Sequence, residues 1–197
     1  MKTTSLKEIE AHLLQIGLMR GMNVSIHHIS EDIDLGDLIA ERELVVSNND
    51  TGLTLYRKTQ SEGLELLLSV IKELLSGATL DARKQDVSKR VLYTHKDAAN
   101  SKINWKASAK DVRNFIRAGA YYPLKSPTYT ASVFDEYHGE ILLLSASVEN
   151  FSGVPGTILD VTDNKPLVGC GHQSVKITRF VSVLGEKIDW KKVSLAP

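Results

Sequence analysis

The sequence predicts an α/β segment followed by a β-rich barrel, and three observations support this division. Helix-like and strand-like patterns alternate over residues 1–80. From residue 121 onward, short β-rich runs recur about every eight to twelve positions, a spacing typical of small barrels and sandwiches. The charge also changes sign: residues 1–82 hold seven Lys and Arg against thirteen Asp and Glu, whereas the remainder holds 17 against 11.

The first segment opens with an amphipathic pattern followed by two strand-like runs. A Thr or Ser at positions 3–5 can cap a helix that runs to about Leu18. Residues 24–29 alternate for most of their length and predict a strand. A polar loop over 30–36 separates it from a second predicted strand over 38–46.

A long helix is predicted next. Asp50 or Thr51 can cap its start, and Gly77 supplies the glycine that commonly ends a helix. Gly63 interrupts the apolar pattern, and glycine is a residue at which a helix can break.

The second segment begins after a polar stretch over 81–97, which we interpret as a linker or a wrapped arm. Ser108, with Asp111 three residues later, resembles a capping box that opens a helix through about Arg117. The predicted strands follow at 128–134, 141–148, 156–161, 167–170 and 174–183. We therefore expect two domains, 1–80 and 98–197, joined by that linker.

The composition is that of a globular protein in a reducing compartment. Of 197 residues, 42% are hydrophobic and 24% are charged. We see no export signal and no apolar run near the ~20 residues that span a bilayer. The single cysteine, Cys170, excludes an intrachain disulfide, so we expect a cytoplasmic location. We expect Cys170 to be a buried structural thiol rather than a nucleophile.

Residues 27–39, HHISEDIDLGDLI, hold the densest group of titratable side chains. Adjacent His27 and His28 on a strand point to opposite faces, so they do not chelate one metal ion together, and we predict no metal site. Asp34 and Asp37 both lie close to Gly36, which lets the backbone approach a ligand. Either carboxylate can act as an acid or base or serve as a turn residue, and local chemistry leaves that choice open.

Seven motifs in order resemble the formyltransferase family, in particular its methionyl-tRNA branch. The chain carries VSIH where the family has VTIH, DLGDLI where it has DTGDII, and an N-D-T start followed by L-Y in the long helix. It continues with Gln85, Tyr93 and Lys96 before I-N-W, then NFIRA, PGTI and VGCG. The resemblance covers nearly the whole chain from about residue 20.

The resemblance implies the fold, the reaction and the site. Residues 1–80 resemble the C-terminal part of a Rossmann-like formyltransferase domain, and 98–197 resemble its OB-like barrel. The family transfers a formyl group from 10-formyltetrahydrofolate to an amine, with an Asn–His–Asp trio whose aspartate corresponds to Asp34. The resemblance thus implies Asp34 as catalytic and Asp34 with Gly36 as cofactor-binding. We assign substrate binding to Lys110, Arg113 and Arg117, because this part of the chain is basic and can contact a polyanion.

Departures from the family pattern shape the expected function. The sequence contains no N-x-H motif, so we expect a truncated chain that is inactive alone and needs a complementary N-terminal half. The basic second part favours initiator tRNA as substrate. The segment 121–127, YYPLKSP, instead resembles formyltransferases of small amines, either hydroxyornithine in siderophore synthesis or an amino sugar nucleotide. A non-catalytic binding module is the third alternative.

Overall fold

The structure is a computed structural model and describes residues 21–31, 34–86, 88 and 100–195. The helix predicted before Leu18 lies outside these residues, as does most of the stretch 81–97. Contacts between Cα atoms divide the chain into two compact units. One contains residues 19–50 and 54–92, and the other contains 93–197 with the short segments 1–18 and 51–53.

The first unit, which we call the hairpin–helix unit, contains an antiparallel strand pair. Strand β1 is Gly21–His27 and β2 is Leu38–Val45. The predicted β1 continued to Ile29, but the register shifts between Ile26 and His27, and Ile29 is fully exposed. The strand therefore ends two residues earlier than its alternating pattern predicted.

Helix α1, Gly52–Leu75, follows the hairpin and is continuous. The break that Gly63 allowed does not occur. A Cβ added at that position would lie 3.2 Å from Val24 Cγ1, so the glycine lets β1 approach the helix. Gly77 has a φ of +80° and its N–H donates to Leu74 O at 3.1 Å, which confirms the predicted C-terminal glycine.

A helix and a five-stranded sheet make up the second unit, which we call the sheet unit. Helix α2 is Ala109–Ala118, and Ser108 Oγ accepts from Asp111 N–H at 3.2 Å, so the predicted cap is confirmed. The strands are β3 Ser132–Asp135, β4 Gly139–Glu149, β5 Ile158–Thr162, β6 Lys165–Gly169 and β7 Ser174–Ser182. All pairings between them are antiparallel, in the order β3-β4-β7-β6-β5.

The sheet unit has one continuous hydrophobic core. Inward-facing residues of β4, β6 and β7 pack against α2 and against the segment that follows β7. Trp190, in that last segment, is 1% exposed, and its ring meets Phe180 edge to face at 4.9 Å between centroids. Five strands occur where five were predicted, in an antiparallel sheet consistent with a formyltransferase C-terminal domain.

Candidate active-site loop

The β1–β2 loop holds Asp34, the residue predicted to be catalytic. Its backbone φ is +58°, a left-handed conformation that aspartate tolerates better than most residues. Its side chain is 77% exposed, and Oδ1 lies 3.8 Å from His27 Nε2. That distance is too long for a hydrogen bond, so the two groups attract each other only when His27 is protonated. His27 Nδ1 lies 2.9 Å from His28 O, which keeps the proton of the neutral ring on Nδ1.

Gly36 shapes the loop through a close backbone approach. A Cβ added there would lie 1.6 Å from His28 O, so no other residue fits this conformation. The predicted role of Gly36 beside a ligand stays a prediction, whereas its role in closing the loop is visible in the geometry.

Gln85, which follows α1 in the chain, donates hydrogen bonds to the backbone of the same loop. Its Nε2 donates to Gly36 O at 2.6 Å and to Asp34 O at 3.2 Å. In the sequence, Gln85 stands out only by its place in the order of family motifs, and this contact was not predicted. No local signal reveals it, because 49 and 51 residues separate the partners.

Asp37 stabilises the loop through its backbone. Its carbonyl accepts from His28 N–H at 2.9 Å, next to the first residue of β2. This geometry matches the turn or strand-entry role that local chemistry had left open for Asp37. Asp34 is the more exposed of the two carboxylates.

The residues predicted to bind substrate lie on α2 of the sheet unit and differ in exposure. Lys110 is exposed and Arg113 is half-buried. Arg117 is 9% exposed, and its Nε donates to Asn114 Oδ1 at 2.9 Å. The three positions follow helical spacing, so they lie along one side of α2.

Cys170 is buried in the core of the sheet unit, as expected for a structural thiol. It is 3% exposed, and burial raises the pKa of its thiol to about 11. A thiol with this pKa is protonated at neutral pH and is a poor nucleophile. Within the part of the chain that the structure describes, no group of three or more His, Cys, Asp and Glu could hold a metal ion.

A buried Asp–His pair joins the β3–β4 turn to the segment after β7. His138 Nδ1 lies 2.7 Å from Asp135 Oδ1, and both residues are at most 8% exposed. Asp189 N–H donates to His138 Nε2 at 3.3 Å, so Nδ1 carries the proton that Asp135 accepts. This pair was not predicted from the sequence, although the spacing D-x-x-H in a tight turn was a usable signal.

Burial opposes ionisation of Asp135, but its hydrogen bonds outweigh that effect. The ring of His138 and the backbone N–H groups of Tyr137 and His138 donate to the carboxylate and hold its pKa below its usual range. Asp135 therefore stays charged in the folded protein at neutral pH. The pair connects the β3–β4 turn to the segment after β7 within the sheet unit and has a structural role.

Residues 96–193 match the family described as formyl transferase, C-terminal domain. This range contains α2 and all five strands of the sheet unit. The chain belongs to the formyltransferase family. Among its relatives, the methionyl-tRNA formyltransferase of Geobacillus sp. (strain WCH70) is 28% identical over 80% of this chain and 48% of its own length. The one from Sulfurihydrogenibium sp. (strain YO3AOP1) is 29% identical over 85% of this chain and 54% of its own length.

Solved formyltransferase structures share the fold. An N-formyltransferase from Helicobacter canadensis, in complex with folinic acid and dTDP-3-aminofucose, superposes with a TM-score of 0.63 at 19% identity, covering 85% of this chain and 59% of that one. HypX from Aquifex aeolicus, in complex with tetrahydrofolic acid, gives 0.63 at 21% identity, covering 89% and 30%.

This formyltransferase chain spans about half the length of the curated relatives that it matches. The matched family is a C-terminal one, so these residues correspond to the C-terminal part of such a protein. In the described ranges, no helix is long and apolar enough to cross a membrane.

Proposed function

We propose that this chain forms part of a cytoplasmic N-formyltransferase that formylates the amino group of methionyl-tRNA. The observation that carries the proposal is the D-x-G-D loop, which presents the Asp34 carboxylate to solvent on a backbone held by Gly36 and Gln85. Two hydrogen bonds from Gln85 hold the backbone of this loop, while the carboxylate oxygens of Asp34 stay accessible. A reacting group needs both a fixed position and access to its substrate. The relatives named methionyl-tRNA formyltransferase favour this substrate.

The described residues would supply one part of a site for the cofactor 10-formyltetrahydrofolate, the loop that carries Asp34 and Gly36. When bound, this cofactor supplies the formyl group. Asp34 would hold its carboxylate against the reacting centre and accept the proton that the attacking amine loses. The neighbouring His27, when protonated, stabilises the carboxylate as an anion. A complementary N-terminal half would supply the remaining binding surface and the Asn and His of the trio.

The sheet unit would contact the tRNA. Residues 83–197 carry 17 Lys and Arg against 11 Asp and Glu, and neutralisation of phosphates dominates such contacts. We assign the phosphate contacts to Lys110 and Arg113, which are exposed and half-buried on α2. Arg117 is buried beside Asn114, so its contribution would come through the position of α2.

An isosteric pair of variants tests the role of Asp34. We combine the chain with the N-terminal half of a methionyl-tRNA formyltransferase and measure formyl transfer from 10-formyltetrahydrofolate. We expect Asp34→Asn to lower the rate by about 10²–10⁴-fold, because it removes a proton acceptor and leaves the loop intact. Asp37→Asn is the matched control and should retain most activity, since the backbone of Asp37 makes the structural contact.

Equal activity of both variants would contradict a catalytic Asp34 and favour a non-catalytic binding module. The chain without its complement should transfer no formyl group, because its 197 residues contain no N-x-H motif. Transfer to any amine by the purified chain alone would contradict that expectation.

An amine on a sugar nucleotide is the second candidate substrate. It is favoured by the likeness to sugar N-formyltransferases and by the segment 121–127. A tRNA-binding titration in salt separates the two candidates, because phosphate contacts weaken steeply as salt rises. Absence of tRNA binding at low salt would contradict the tRNA proposal and leave a small amine, such as hydroxyornithine or an amino sugar nucleotide.

A further inference from the structure

The polypeptide that follows α1 returns to the hairpin and pairs with β2 on the edge opposite to β1. Leu38 N–H donates to Arg83 O at 2.7 Å, and Arg83 N–H donates to Leu38 O at 2.9 Å. This exchange of two hydrogen bonds is that of an antiparallel pair. We call residues 81–86 the return segment. Strand β2 therefore begins between β1 on one side and the return segment on the other.

The register of this pair determines which residue of the return segment faces the Asp34 loop. In an antiparallel pair, a step forward along one chain matches a step backward along the other. Gly36 lies two residues before Leu38, and Gln85 lies two residues after Arg83, so Gln85 faces Gly36. The side chain of Gln85 is half-buried, and its Nε2 donates to Gly36 O at 2.6 Å.

The backbone of Asp34 has a conformation that depends on support from its surroundings. Its φ of +58° is left-handed, and a residue other than glycine keeps such a conformation only where neighbouring groups hold it. The same amide group of Gln85 also donates to Asp34 O at 3.2 Å. One side chain thus holds the carbonyl groups of Asp34 and Gly36, and both contacts leave the Asp34 carboxylate exposed.

The pairing of the return segment with β2 has support that does not involve the Gln85 side chain. Leu38 and Arg83 exchange backbone hydrogen bonds, and the Arg83 guanidinium donates to Glu41 of β2. The amide of Gln85 adds its hydrogen bonds at the loop alone. We therefore expect loss of this amide to change the loop and to leave the hairpin intact.

We propose that Gln85 is a positioning residue: it holds the backbone of Asp34 so that the carboxylate meets the reacting amine in one orientation. This inference rests on the proposed function, in which Asp34 accepts a proton. A displacement of about 1 Å can lower the rate of an enzyme by about 100-fold, so the two hydrogen bonds to this backbone can control the rate.

Steady-state kinetics of the chain combined with the N-terminal half of a methionyl-tRNA formyltransferase tests the proposal. Gln85→Met keeps the length of the side chain and removes its donors. We expect kcat to fall about 10- to 100-fold and KM to change by less than about twofold, because position is altered and substrate contacts are not. Gln60→Met makes the same replacement at an exposed position of α1 and should change kcat by less than about twofold.

A double variant distinguishes positioning of Asp34 from a general structural role. In an Asp34→Asn background, adding Gln85→Met should lower kcat by less than about twofold, since the group that Gln85 positions is already lost. Equal losses in both backgrounds would overturn the proposal. Full activity of Gln85→Met beside a defective Asp34→Asn would overturn this proposal alone, whereas full activity of Asp34→Asn would contradict the proposed function and with it the role of Gln85.

Amide hydrogen exchange of the 197-residue chain gives a readout that needs no activity. We expect Gln85→Met to speed exchange over residues 34–38 by about threefold or more, because local opening of the loop becomes easier. Exchange over 40–45 and in the sheet unit should stay unchanged, as should every region in Gln60→Met. Unchanged exchange over 34–38 in Gln85→Met would overturn the proposal, and so would faster exchange throughout the hairpin.

Discussion

The core strands of the sheet unit and one face of α1 in the hairpin–helix unit differ in how far their apolar side chains are buried. In the sheet unit, Ile141, Leu143, Val168 and Ile177 are at most 1% exposed. In the hairpin–helix unit, six apolar side chains of α1 are 39–83% exposed, and we call them the leucine stripe: Leu64, Leu67, Leu68, Ile71, Leu74 and Leu75. The sheet unit has one continuous buried core, whereas the hairpin–helix unit leaves one apolar face of α1 exposed.

This difference follows from the architecture of each unit. In the sheet unit, five strands and a helix enclose one continuous hydrophobic core. A two-stranded sheet is marginally stable in water and covers only one side of a helix. A helix that is apolar on two sides therefore indicates an element built to lie between two others.

The largest expected effect concerns the two units as separate polypeptides. We expect residues 93–197 to unfold in one cooperative thermal transition, because their core is complete. We expect residues 19–92 to show no cooperative transition, because one hairpin and one half-covered helix bury too little apolar area. Thermal circular dichroism of each fragment measures this. A sharp transition in residues 19–92 would show that the hairpin–helix unit is self-sufficient after all.

Two substitutions to alanine, one in each unit, test the same comparison at single residues. Ile177→Ala should lower the free energy of unfolding by about 2–5 kcal/mol, because a fully buried side chain leaves a cavity. Leu74→Ala, on the stripe, should cost less than about 1 kcal/mol in dilute protein, because that side chain is already in water. Urea unfolding gives both values, and similar costs would contradict the assignment of the stripe as exposed.

Acid sensitivity tests the Asp135–His138 tie. The folded state holds the Asp135 pKa below its usual range of about 3.9, so the stability it contributes is full above that value and is lost as the pH falls through the lower folded pKa. Asp135→Asn should cost about 2 kcal/mol at pH 7, because a charged acceptor of buried donors becomes neutral. The cost should shrink toward pH 2 in urea unfolding curves.

In the hairpin–helix unit, Asp50 is a buried carboxylate whose pKa is lowered, as that of Asp135 is in the sheet unit. Burial opposes its ionisation, but Lys58, Ser47 and Thr54 donate to the carboxylate and hold its pKa below the usual range. Asp50→Asn should therefore lose stability with the same pH dependence. A cost for either variant that does not change with pH would contradict the lowered pKa.

The smallest effect is expected at the end of α1. Gly77→Ala should cost about 1 kcal/mol, because Gly77 has a φ of +80° and alanine is strained there. An added Cβ meets nothing within 4 Å, so the cost is purely that of the backbone. Gly77→Asn is the control and should cost less, since asparagine adopts this conformation more readily. Equal costs in urea unfolding would point to a different cause.

Much of the fold could be predicted from the sequence because its signals are local. The Ser108–Asp111 cap lies within one turn of helix, the Gly77 end depends on one residue, and each strand has its own alternation. The choice of Asp34 within the loop needed the ordered motifs, since Asp37 lies directly next to Gly36. Gly63 was ambiguous in the sequence, because a glycine can break a helix or let a neighbour approach it. In the structure an added Cβ at Gly63 would lie 3.2 Å from Val24 Cγ1.

The parts of the site that the sequence did not reveal depend on residues far apart in the chain. Gln85 reaches the Asp34 loop across 49 residues or more, and His138 meets the backbone of Asp189 across 51. Arg117 has a helical position like that of Lys110, yet only Arg117 is buried. No local pattern reports such contacts.

The sequence by itself determined where helices and strands form and which family the motifs resemble, because both depend on residue order over short spans. The tertiary structure alone decided which of the two apolar faces of α1 is covered. Periodicity shows that a face is apolar but carries no information about what lies opposite. In α1, Leu66 and Val70 are at most 6% exposed, whereas the leucine stripe is 39–83% exposed.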